Sequence, residues 1–245
     1  MKRKVIIIAV VIAAALCLLL CIGLKHLPRT ESSAQEYFTA PEERIGTEAY
    51  VSPADFEGLR KINEDIYAWL YIPGTEISYP ILQSPDDDAY YLQRNLYGRS
   101  DAAGAIYTEA AYSGKEFTDP VTVVYGQNMA DGEMFGALQR AYSSREALEE
   151  HSEIVVYLPD RELRYTVFAA VPFDNRHILY NYDFTDQRTF RLFFKEILSV
   201  RSLEASFAED ASVQEGDTIL ILSTHLKSDS SKRFLVCAKL SRAAN

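Results

Sequence analysis

Two short runs near the carboxyl end carry residue types that can do chemistry. Thr218-Ile219-Leu220-Ile221-Leu222-Ser223-Thr224-His225 ends in an imidazole, and Lys232-Arg233-Phe234-Leu235-Val236-Cys237-Ala238-Lys239-Leu240 opens on a guanidinium. Both are β-rich and flank a short polar loop, Leu226 to Ser231, so they read as adjacent strands with His225 and Arg233 side by side. An imidazole can attack or move a proton, and a guanidinium fork can hold a carbonyl or carboxylate. A third run, Val121-Thr122-Val123-Val124-Tyr125-Gly126-Gln127-Asn128-Met129, has the same form: a buried strand that stops at a glycine and presents a polar residue, Gln127.

Other reactive groups fit less well. Ser223 shares a strand face with His225, two residues away, but such side chains run parallel without having to touch, which is a weak basis for a serine nucleophile. A metal site on His225 would need two further ligands, and neither His151 nor His177 stands at a ligand-like spacing. Cys237 lies within an apolar strand and reads as a small buried hydrophobe. Cys17 and Cys21 fall in an apolar amino-terminal run, which leaves no pair for a disulfide in the body of the chain. No cofactor and no metal is implied.

The chain of 245 residues is long enough for one domain of ordinary size plus an anchor. A net charge of -10, from Lys+Arg 25 and Asp+Glu 35, excludes nucleic acid as a natural partner, because phosphate contacts need basic patches. Val5 to Leu24 is an uncharged apolar run. At about 1.5 Å per residue it matches a hydrocarbon core about 30 Å thick, so residues 5–24 are expected to form a transmembrane signal anchor. Lys2-Arg3-Lys4 then marks residues 1–4 as a cytoplasmic tail and puts the carboxyl-terminal domain outside the cell. Residues 25–54, polar and punctuated by Pro28, Pro41 and Pro53, read as a juxtamembrane linker, and the folded domain as 55–245.

Within that domain, Phe56, Leu59, Ile62 and Ile66 recur at helical spacing. Strand-like runs follow at 77–82, 105–108, 121–126, 154–158, 163–171, 218–225 and 233–240, with short pieces near Tyr71 and Tyr90. A helix from about Thr185 to Val200 carries a broad apolar face with Phe190, Leu192, Phe193, Phe194, Ile197 and Leu198. Many short strands with inserted helices suit a barrel better than a doubly wound sheet, although periodicity does not separate a barrel from a sandwich.

Several motifs together resemble the class B sortases, membrane-anchored cysteine transpeptidases of Gram-positive bacteria. They are Trp69-Leu70-Tyr71-Ile72-Pro73-Gly74-Thr75 followed by Tyr79-Pro80, then Tyr90-Tyr91-Leu92, Gly104-Ala105-Ile106-Tyr107, Tyr125-Gly126, Asn128-Met129-Ala130-Asp131-Gly132-Glu133-Met134-Phe135, and Leu222-Ser223-Thr224 with Arg233. The resemblance runs from about Phe56 to Leu240. It implies a mainly β fold with inserted helices, a closed barrel of about eight strands preceded by one transmembrane helix. It also implies a peptide site at the cell surface, with Ser223, Thr224, Asn128 and Tyr182 binding the substrate and a sorting-signal-like peptide or a cell-surface protein as partner.

The chain departs from the family at two positions. Where the family has Leu-Ser-Thr-Cys this sequence has His225, and where it has Tyr-Gly-His-Asn-Met this sequence has Gln127. Only Arg233 keeps the family residue. An acyl-imidazole is labile in water and an amide does not titrate near neutrality, so the expectation is a pseudo-transpeptidase that binds without turnover. The alternatives are a hydrolase working through His225 and an altered copy of an active Cys/His parent.

Overall fold

The computed structural model describes residues 30–41 and 50–244. The expected tail and membrane anchor, 1–4 and 5–24, lie outside the described residues. Among those described, no helix is long and apolar enough to cross a membrane. Ala34–Asn245 is one compact unit.

After a 3-10 turn at Thr30–Tyr37, the elements run α1 (Phe56–Ile62), β1 (Ile66–Tyr71), β2 (Ser78–Leu82), β3 (Ile106–Tyr107), β4 (Val121–Tyr125), α2 (Leu138–Ala141), α3 (Arg145–Glu150), β5 (Glu153–Tyr157), β6 (Glu162–Phe173), α4 (Ile178–Asn181), α5 (Gln187–Leu198), β7 (Ser206–Phe207), β8 (Ile219–His225) and β9 (Arg233–Ala244). The strands are ordered β5-β1-β2-β3-β4-β8-β9-β6, and β6 pairs back onto β5, so eight strands close into a barrel. The long strand β6 also holds β7 on the same edge, beyond the end of β5. Closure leaves no open edge along the site-bearing strands.

Strand alternation sorts the side chains. Leu220 and Leu222 of β8 join Val124, Phe234, Val236 and Ala238 in the barrel interior. Ile219 and Ile221 point the other way with Val121, Val123, Leu235 and Cys237, where they meet Phe190, Phe193, Phe194 and Ile197 of α5. Both faces of β4, β8 and β9 are therefore covered, which is why these strands read as unbroken apolar runs. Asp186 caps α5, its Oδ2 accepting from Thr189 N at 2.8 Å.

Three expectations change. The helix begun at Asp55 does not reach Ile66: the backbone of Asn63 is extended. Asn63 Oδ1 accepts from Asp65 N at 3.0 Å, an Asx turn that redirects the chain, and Ile66 opens β1. Tyr90–Leu92 is a 3-10 turn rather than a strand piece. Residues 34–41, assigned to the linker by composition, pack on the barrel. Phe38 pairs with Ala54 in an isolated bridge, and its ring stacks on Trp69 at 4.9 Å and 7°.

Candidate functional site

His225 and Arg233 are direct partners in the antiparallel β8–β9 ladder. Alternation puts them on the outward face, in line with Ile219, Ile221 and Ser223 on one strand and with Leu235 and Cys237 on the other. Leu226 N donates to Lys232 O at 2.9 Å and closes the loop between them. Strand β4 lies parallel to β8 with Tyr125 opposite Ser223, and Gly126 N donates to Ser223 O at 3.2 Å, so Gln127 emerges beside the end of β8. A Cβ on Gly126 would meet Ile106 Cδ1 at 2.5 Å and Phe135 Cδ2 at 2.7 Å, so the close approach itself requires glycine here.

A small cleft results, lined by Leu92, Tyr107, Tyr125, Gly126, Gln127 and Arg233. Gln127 Nε2 donates to Leu92 O at 3.0 Å, which spends one amide donor on the backbone. Asn128 Nδ2 donates to His225 O at 2.7 Å and ties the two strand ends together. His225 Nδ1 lies 3.0 Å from Ser230 O. A carbonyl only accepts, so Nδ1 carries the proton and Nε2 keeps its lone pair. Burial first, and the Arg233 charge second, hold the imidazole below its ordinary value and favour the neutral ring.

The remaining site residues fall differently. Ser223 is 2% exposed and Thr224 0%, and the Thr224 hydroxyl is buried without a hydrogen-bond partner among the described residues. Such burial speaks against a serine nucleophile at Ser223. Tyr182 is half-buried against Phe184 and Phe193, and its hydroxyl bonds Arg176 and Glu196, Arg176 being the neighbour of the Asn175 that holds Arg233. Cys237 is fully buried, which pushes its thiol well above the ordinary range. His151 Nδ1 donates to Pro73 O at 3.3 Å in a turn-holding role. Among the described residues no group of three or more His, Cys, Asp or Glu could hold a metal ion.

Sequence reasoning missed a second polar cluster beside the cleft. His177 Nε2 donates to Glu109 Oε1 at 2.9 Å, and the ring lies 6.3 Å from that of Tyr125. Burial raises the Glu109 carboxyl while His177 opposes the shift. Tyr107 and Tyr125 stack at 5.5 Å, and burial pushes both phenols upward. Arg233 Nε also donates to Asn175 Oδ1 at 2.9 Å. Glu109 and His177 stand 68 residues apart, and no spacing rule connects them.

No family model matches the chain. Over 170 residues it is 31% identical to Sortase B of Listeria monocytogenes, aligning 69% of this chain with 66% of that protein. It is 27% identical to Sortase B of Staphylococcus aureus over 187 residues, 76% of this chain and 74% of that one. Among solved structures, sortase B from B. anthracis superposes with a TM-score of 0.68 at 28% identity, covering 86% of this chain and 93% of the other. A Staphylococcus aureus sortase B-substrate complex gives 0.66 at 27% identity, covering 79% and 87%.

Proposed function

Because the chain belongs to the class B sortase family, we propose that it is a membrane-anchored, catalytically impaired relative that binds a sorting-signal-like peptide or a cell-surface partner at the Arg233 cleft. The observation that carries this reading is the chemistry at the two strand ends. Gln127, at the family's histidine position, is an amide held to Leu92 O and cannot shuttle protons. His225, at the nucleophile position, offers only a hydrolytically labile acyl-imidazole. Groups that act as a unit fail together, yet the guanidinium beside them keeps its capacity to bind. A relative solved as a substrate complex supports a peptide as the ligand class. Residues 5–24 would hold the domain at the outer membrane face. A reporter fused at Asn245 should be active only outside the cytoplasm, and a cytoplasm-only signal overturns that placement.

One observation favours a second reading, a His225-based hydrolase: the imidazole is kept neutral with Nε2 free, the form needed to attack a carbonyl. Mass spectrometry with a panel of sorting-signal peptides separates the two. The pseudoenzyme binds without a covalent adduct, and an adduct at His225 defeats that reading. The double change Gln127→His with His225→Cys should recover at least a trace of thioester, because a thiolate beside imidazole and guanidinium regains nucleophilicity. Either change alone should do little.

A further inference from the structure

Arg233 enters the cleft with one edge of its guanidinium already committed. Nε donates to Asn175 Oδ1 at 2.9 Å, and no described residue accepts from either Nη. Asn175 lies in the turn Asp174–His177 between β6 and α4, and this turn is fastened on both sides of it. On one side Arg176 N donates to Asp174 Oδ1 at 3.0 Å, and the Arg176 guanidinium bonds Asp174 and Glu196. On the other, His177 makes two bonds that fix its tautomer. Its Nδ1 accepts from Tyr180 N at 3.1 Å and caps α4, so Nε2 carries the proton donated to Glu109 Oε1 at 2.9 Å. Glu109 is 8% exposed, so the turn is pinned to a buried carboxylate on the far side of the cleft wall.

A guanidinium can meet a planar oxygen pair side-on, through Nε and one Nη, or end-on, through both Nη groups. Asn175 occupies Nε and closes the side-on edge. We infer that Asn175, held in place by the Glu109–His177 pair, is a positioning residue that presents the Nη1/Nη2 edge of Arg233 to a carbonyl or carboxylate oxygen of the ligand. The ligand class rests on the peptide-binding reading above, whereas the orientation belongs to the unliganded chain. Holding a long side chain in its bound orientation before the ligand arrives lowers the entropy lost on binding. Asn175→Ala should therefore weaken peptide binding about three- to tenfold, the range expected for one immobilised side chain.

The test uses the full-length chain in detergent micelles with 15N-labelled arginine, the Arg233 signals being assigned by their loss in Arg233→Lys. The Arg233 Nε–H should exchange slowly with water in the wild type, become fast in Asn175→Ala and be protected again in Asn175→Asp, which restores an acceptor. His177→Asn keeps an acceptor for Tyr180 N but is too short to reach Glu109, and should partly lose the protection while α4 remains capped. Titration with acetate should shift the Nη signals and leave Nε in place. An Nε–H no better protected in the wild type than in Asn175→Ala overturns the inference, as does an Nε signal that moves together with Nη. A protected Nε–H with an acetate response confined to Nη, but with no response to any peptide, supports the orientation and defeats the peptide reading alone.

Discussion

Phe38 decides whether the domain starts at residue 55, as composition suggests, or earlier. Its ring is stacked on Trp69 at 4.9 Å and tilted against Tyr71 at 5.4 Å and Tyr157 at 5.8 Å. Around it, Thr39 N donates to Pro53 O at 3.0 Å and Asp55 N to Tyr37 O at 2.8 Å, so the segment is laced to the residues that lead into α1. Truncating a fully buried phenylalanine costs about 3–5 kcal/mol. Phe38 is half-buried, which halves that to about 2 kcal/mol, and the lost ring geometry adds about 0.5–1.5 kcal/mol. Phe38→Ala should therefore destabilise Ala34–Asn245 by about 2.5–3.5 kcal/mol, a fall of roughly 5–14 °C in Tm for a domain of this size. Phe38→Leu keeps apolar area without the stack and should lose about half as much. The measurement is a thermal melt followed by circular dichroism, supported by urea midpoints. A Phe38→Ala protein within about 0.5 kcal/mol of wild type, the scatter of ordinary surface changes, would show the segment to be a linker and the packing argument to be wrong.

Three further outcomes follow from the site and its strands. Thr224 is fully buried and its Oγ1 has no hydrogen-bond partner, so Thr224→Val should stabilise by about 1 kcal/mol, raising the urea midpoint without changing the slope. Gly126→Ala would press a methyl onto Ile106 and Phe135, and should cost about 1–3 kcal/mol while disturbing the Gln127 bond to Leu92. His225 has a folded-state value depressed below the ordinary 6.5, so the unfolded chain takes up the proton first. Its contribution to stability is present above about pH 6.5 and is lost as pH falls through the folded value; His225→Gln should flatten that part of the urea-midpoint profile, and an unchanged slope there would contradict the assignment.

The strands around the site were legible because they are buried on both faces. Ile219-Leu220-Ile221-Leu222 and Phe234-Leu235-Val236-Cys237 have no polar interruption, and a continuous apolar run bounded by a turn leaves little choice of element. Their pairing was legible as well, since the loop between them is too short for anything but neighbours. The end of α1 was not, because Ile66 keeps the helical period and only the Asn63 turn breaks it. Nor was the packing of Phe38, since a polar, proline-punctuated stretch gives no sign of the single ring that fits against Trp69.

The polar side of the cleft obeys a different logic. Which side chains are buried depends on what covers the far side of the strand, and the burial of Ile219 and Ile221 follows from α5 and its phenylalanines, chain that lies some thirty residues away in sequence. Asn175, His177 and Glu109 come from a turn and from the residues just after a two-residue strand, where no periodicity operates; the β6–β9 ladder, which pairs Phe173 with Arg233, brings the turn beside Arg233, and His177 links it to Glu109. The cleft is lined in part by Gln127, which bonds Leu92 O, and not by His225. Its walls are Tyr107, Tyr125 and Leu92, its floor is a glycine fixed by packing, and its one cation is oriented from the β6–α4 turn. On the proposed reading, His225 and Gln127 change the reactive atoms while Arg233 keeps its bond to Asn175 and the aromatic walls beside it, which is how binding without turnover would be possible.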